Sequence, residues 1–132
     1  MAAPSRITSR SPTVLVVEDT VVVRTMVLRA LENEGYTVRE AGDGAEALAL
    51  LTQGSQVDII VADLRMPRMD GRQLAAEVRK LSLAVPILFI SGYDAYVGQG
   101  DLPGPVLPKP FMPDQLVASV RQLLQPSQPR SA

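Results

Sequence analysis

Ile59-Ile60-Val61-Ala62-Asp63-Leu64-Arg65-Met66-Pro67-Arg68-Met69-Asp70-Gly71 carries one strand, one loop and one helix start in thirteen residues. The opening apolar burst is of strand length and shows no polar face, as expected of a strand covered on both sides of a parallel sheet. It stops at Asp63, so a carboxylate stands at the tip of a buried strand. Asp70-Gly71 then opens a segment of helical period that predicts Leu74, Val78 and Leu81 on its inward side.

Outward from this unit the same alternation repeats, which specifies a parallel sheet with helices on both faces. A short apolar burst at 14–17 precedes a helix over about 20–34 with Val23, Met26, Val27, Ala30 and Leu31 on one face, stopped by Gly35. A weaker strand at 37–41 leads to a helix burying Leu48 and Leu51, opened by a capping-box-like Asp43 and Glu46 and closed by Gly54. Pro86 marks the start of a fourth strand at 87–90. Val106 and Leu107 offer a fifth, and Pro113 begins a last helix running to about Leu124. Between strands four and five, Gly98, Gly100, Pro103 and Gly104 predict a shortened or missing fourth helix.

The 132 residues are 46% apolar, enough for one domain with one core, and the net charge of -1 offers no basic field for nucleic acid or an anionic membrane. There is no cysteine, which excludes disulfides and thiol chemistry and suits a cytoplasmic setting. There is no histidine either, so the usual general base is missing and the chain cannot carry a phosphohistidine of its own. Residues 1–12 read as a disordered arm, 13–125 as the domain and 126–132 as a disordered tail, and no apolar run reaches membrane-spanning length.

Ligands in open α/β sheets sit beyond the carboxyl ends of the strands, where the strand order reverses. Those ends carry Glu18-Asp19, Asp63, Ser91 and Lys109. If the strand order is 2-1-3-4-5, the first and third strands are neighbours and three carboxylates converge. They would repel by roughly 4 kcal/mol per pair at contact in a reduced dielectric. A hard divalent cation such as Mg²⁺ relieves this with oxygen ligands only, and commonly shares its remaining positions with a phosphate. Asp63 then reads as a nucleophile toward phosphorus, Lys109 as an ammonium offsetting charge on the phosphoryl oxygens, and Ser91 as a hydroxyl donor to them. Asp70, by contrast, reads as a helix start and no more.

Glu18-Asp19, Asp63 through Asp70-Gly71, Ser91-Gly92 and Lys109-Pro110-Phe111, in this order and each at a predicted strand end, resemble the motif set of bacterial two-component response-regulator receiver domains, the CheY-like group. The resemblance spans about 13–124 and implies a flavodoxin-like doubly wound five-stranded parallel sheet of order 2-1-3-4-5. It implies that Glu18, Asp19, Asp63 and the backbone carbonyl of Arg65 hold Mg²⁺, that Asp63 is the phosphoacceptor, that Ser91 is the switch hydroxyl and that Lys109 senses the phosphate. It also implies a histidine kinase or a histidine phosphotransfer protein as partner, and a signalling domain rather than an enzyme turning over an external substrate. Arg65 and Tyr93 are candidates to border the phosphoryl group and set how readily water reaches it.

The chain departs from the family in two places. Val106 stands where most receivers carry Tyr or Phe, leaving Tyr93, Tyr96 or Phe89 as substitutes. The Gly- and Pro-rich stretch before it compromises the face many receivers use to dimerise, which predicts a monomer resembling either single-domain regulators or receivers of hybrid histidine kinases. With no output domain after 124, phosphorylation is expected to act by changing the surface. A haloacid-dehalogenase-type enzyme is disfavoured because Arg65 stands where its second Asp belongs, and a flavodoxin-like flavin carrier because Glu18-Asp19 would repel its phosphate. No G-x-G-x-x-G follows the first strand, against a dinucleotide site. A pseudo-receiver, an interaction module without phosphotransfer, is the remaining alternative.

Overall fold

The computed structural model of the chain describes residues 11–92 and 102–125. Their elements run β1 (Thr13–Val17), α1 (Val21–Asn33), β2 (Thr37–Ala41), α2 (Gly44–Thr52), β3 (Ile59–Asp63), α3 (Gly71–Lys80), β4 (Ile87–Ser91), β5 (Val106–Pro108) and α4 (Pro113–Leu124). All ladders are parallel and the order is β2-β1-β3-β4-β5, as the resemblance implies. The chain steps outward from β1 to β2 and returns to the other side of β1 as β3, so the order reverses between β1 and β3.

Strand periodicity divides the core into two layers. Leu15, Val17, Ile60, Ala62 and Phe89 face one way and pack with Leu51, Leu74 and Val78 of α2 and α3. Val14, Val16, Ile59, Val61 and Ile90 face the other way, against Val27 and Leu31 of α1 and Leu116 and Val120 of α4. These apolar side chains are all nearly or wholly buried, and each Val, Leu, Ile or Phe among them contributes about 1.5–3 kcal/mol. β2, at the sheet edge, is mostly exposed, which explains its weaker apolar pattern.

Register places the tips. Val17 pairs with Ala62, Ala62 with Phe89 and Phe89 with Val106, so Glu18 and Asp63 come one step past the same row. Helix ends follow local chemistry: Gly35 and Gly54 take positive φ after α1 and α2, and Asp70 with Gln73 forms a reciprocal capping box on α3.

Several expectations need correction. Leu81 follows the last residue of α3 and is 39% exposed, because the helix ends before its face returns to the core. Glu46 does not close a box on Asp43: Asp43 accepts the Glu46 N–H, while the Glu46 carboxylate accepts the N–H of Gly42, one residue earlier. Phe89, a suggested replacement for the missing aromatic at 106, is wholly enclosed in the core, and Val106 packs against that same layer. Pro12, assigned to the arm, accepts the Thr37 N–H at 3.0 Å. Tyr93 and Tyr96, the segment 93–101 of the expected short helix, the rest of the arm at 1–10 and the tail at 126–132 lie outside the described residues; 102–105, which are described, form no helix.

Candidate functional site

The acids of β1 and β3 meet at the reversal point. Glu18, Asp19 and Asp63 each present a carboxylate oxygen, all within 4.8 Å of one another. Glu18 is 0% exposed and Asp63 is buried, whereas Asp19 is exposed. Asp19 does not cap α1; the N-cap is Thr20, without a side-chain bond.

Lys109 reaches in from the far edge of the sheet. Its Nζ donates to Asp63 Oδ2 at 3.0 Å and to Glu18 Oε1 at 3.4 Å. Its backbone is set by an N–H donated to the carbonyl of Ser91 at 2.8 Å and is followed by a cis bond to Pro110. The remaining bonds are short-range: Glu18 Oε2 accepts the Thr20 N–H at 3.1 Å, and Asp63 Oδ1 accepts the Arg65 N–H at 3.1 Å.

This arrangement is electrostatically unbalanced, with three acids against one ammonium. Burial, reinforced by the negative charge of Asp63, pushes the Glu18 carboxyl from 4.5 up to about 7, although the Thr20 N–H and the Lys109 charge pull it down. Burial by itself would lower the Lys109 ammonium, but its hydrogen bond and charge pairing with Asp63, then Glu18, outweigh that and hold it above the ordinary lysine value. The donor set fits a hard divalent cation: oxygen ligands only, close enough to share one ion, with an excess of negative charge. Beside it opens a shallow cleft of about 400 Å³ lined by Asp19, Leu64, Arg65, Met66, Pro67 and Asp70. Another cleft, of about 360 Å³ and lined by Leu51, Val57, Leu83 and Val85, lies among residues that precede β3 and β4, away from these acids.

Ser91 ends β4 and is wholly buried, yet its hydroxyl donates to the carbonyl of Gly92 at 2.9 Å rather than toward Asp63. Arg65 is exposed at the cleft. The structure thus brings together Glu18, Asp19, Asp63, Lys109 and Arg65, holds Ser91 alongside through the Lys109 backbone, and leaves Tyr93 outside the described residues.

Two contacts escaped the sequence. A Cβ at Gly71 would stand 2.5 Å from the Asp63 carbonyl oxygen, so the Asp-Gly pair read as a helix start also makes room for the tip of β3. Arg24 of α1 donates from Nη1 to the Glu18 carbonyl at 2.8 Å and from Nε to Glu40 Oε1 at 3.1 Å. One arginine shortly after an acid pair is too weak a signal to have found the second contact.

Residues 14–121 match the response regulator receiver domain family. The sensor kinase CckA of Brucella abortus is 43% identical over 122 residues, 89% of this chain but 13% of that kinase. The response regulator MprA of Mycobacterium bovis is 35% identical, covering 90% of this chain and 53% of the regulator. Among solved structures, a response regulator receiver protein from Sinorhizobium medicae superposes with a TM-score of 0.77 at 30% identity, over 87% of this chain and 95% of the other. The receiver domain of the hybrid histidine kinase CckA does so at 0.73 and 34% identity, over 86% and 99%. The chain therefore spans from about an eighth to about half of these two relatives' full lengths.

Proposed function

From the premise that the chain belongs to the response regulator receiver domain family of two-component signalling, we propose that it accepts a phosphoryl group from a partner's phosphohistidine onto Asp63 in a Mg²⁺-dependent reaction. The observation that carries this reading is the convergence of Glu18, Asp19 and Asp63 under the Lys109 ammonium.

Asp63 is the nucleophile. One of its carboxylate oxygens forms the new O–P bond as the N–P bond of the donor breaks, and the departing imidazole keeps the electron pair and takes up a proton. Lys109 pairs with the phosphoryl oxygens as they crowd the carboxylate, a role supported by its 3.0 Å hydrogen bond to Asp63. The Arg65 N–H fixes the other oxygen of Asp63 and so the direction of attack. Glu18, Asp19, Asp63 and the Arg65 carbonyl would hold Mg²⁺, which when bound supplies charge neutralisation to the acids and the phosphoryl group. Ser91 would turn its hydroxyl from Gly92 to the phosphoryl oxygens once they are present, and that rotation would begin the change of surface.

Because the chain has no histidine, the donor is a histidine kinase, a histidine phosphotransfer protein or a small acyl phosphate. The domain signals as a monomer in the cytoplasm, without nucleic acid or membrane contact and without turnover of an external substrate. Among the described residues no helix is long and apolar enough to cross a membrane. Intact mass after incubation with acetyl phosphate tests the reading. One phosphoryl group is expected on wild type only with Mg²⁺ and none on Asp63→Asn; no uptake by wild type, as a pseudo-receiver would give, overturns it.

A further inference from the structure

Val17 is the last residue of β1 in register with β2 and β3, so the Glu18 carbonyl lies just past the ladders. The Glu18 N–H is still held, by the Ala41 carbonyl at 3.1 Å, but the peptide joining Glu18 to Asp19 needs another anchor. Asp19 has no hydrogen bond from its side chain to any described residue, and it must nonetheless bring an oxygen within 4.8 Å of two other acids.

Arg24 supplies that anchor. Its guanidinium spans two acceptors, the Glu18 carbonyl at 2.8 Å and Glu40 of β2 at 3.1 Å, and is 21% exposed. A planar fork held at both ends has a defined orientation, which a flexible ammonium would lack. The Arg24–Glu40 pair on its own, with Glu40 46% exposed, would contribute little to stability.

We propose that Arg24 is a positioning residue for the metal-binding acids: gripped by Glu40, it holds the Glu18 carbonyl, fixes the Glu18–Asp19 peptide plane, and thereby aims the Asp19 carboxylate at the shared ion. The inference rests on the Mg²⁺ reading above. Charge and geometry predict opposite signs here. A cation near three acids repels Mg²⁺, so if Arg24 acted through charge alone its removal would tighten Mg²⁺ binding; if it positions Asp19, its removal weakens binding.

Calorimetric titration with MgCl₂ alone, on the whole chain, decides between them. Arg24→Met, a good helix former that keeps the apolar stem, is expected to weaken Mg²⁺ binding about tenfold, as losing an outer-shell partner does. Arg24→Gln is equally uncharged but keeps an N–H donor, and should bind more tightly than Arg24→Met. Glu40→Ala deletes the same ion pair yet leaves the grip on Glu18, and should weaken binding less than Arg24→Met. Arg24→Met binding as tightly as wild type or more tightly, or no more weakly than Glu40→Ala, overturns the positioning role. Wild type that takes up no Mg²⁺ overturns the metal reading itself, whereas wild-type uptake with unchanged variants removes only the role of Arg24.

Discussion

Gly71 leaves open the space beside the carbonyl oxygen of Asp63: a Cβ at 71 would stand 2.5 Å from that oxygen and 3.2 Å from its carbon. No rotamer relieves a clash between Cβ and backbone, so either α3 or the tip of β3 must move. Gly71→Ala is expected to destabilise the fold by about 1–3 kcal/mol, the usual cost of overpacking, and to slow phosphoryl uptake by displacing the nucleophile. Urea unfolding with the acetyl phosphate mass assay checks both, and wild-type behaviour in both would show that the loop yields without cost.

Lys109 is the one cation bonded to the Glu18 and Asp63 side chains among the described residues. Lys109→Met removes a charge that competes with Mg²⁺, so Mg²⁺ should bind more tightly. Phosphoryl uptake should nevertheless fall on the order of a hundredfold, as when a donor to developing charge is lost. Calorimetry and the time course of mass gain report the two effects separately, and a loss of Mg²⁺ binding would contradict the first.

Asp43 caps α2 by accepting the Glu46 N–H and pairs with Arg68. Those bonds, the Glu46 N–H foremost and then Arg68, hold its carboxyl below the ordinary 3.8. A lowered folded-state value means that the charged form adds stability above the unfolded pKa, and that this is lost as pH falls through the folded one. Wild type should therefore exceed Asp43→Asn in stability by about 1 kcal/mol near neutrality, and the gap should close below pH 3.8. Urea midpoints across pH measure it; a gap that persists in acid would contradict it.

Arg65 lines the cleft beside Asp19 with an exposed side chain. If it shields the acyl phosphate from water, Arg65→Ala should shorten the lifetime of phosphorylated Asp63 after the donor is removed. Tyr93→Ala is the paired measurement at a position outside the described residues. Unchanged lifetimes in both variants would end that role.

Strand and helix order, the stops at Gly35 and Gly54 and the acids at the strand tips were legible from the sequence. Leu81 was misplaced because periodicity does not say where a helix ends, and the Glu46 bond because either of two neighbouring N–H groups fits the same spacing. Arg24 was invisible for another reason: one of its two acceptors is a backbone carbonyl, which every residue possesses.

Periodicity is a local property, set by 3.6 residues per helical turn and two per strand repeat, so the amino-acid order alone determined which segments form strands and which acids stand at their ends. Sheet order and register decided the rest. They bring Lys109 to Asp63, 46 residues away, and to Glu18, 91 residues away, and they bury Glu18 while leaving its neighbour Asp19 exposed. Distances of that kind depend on how whole strands dock, because burial and charge at each tip come from the neighbouring strands and helices.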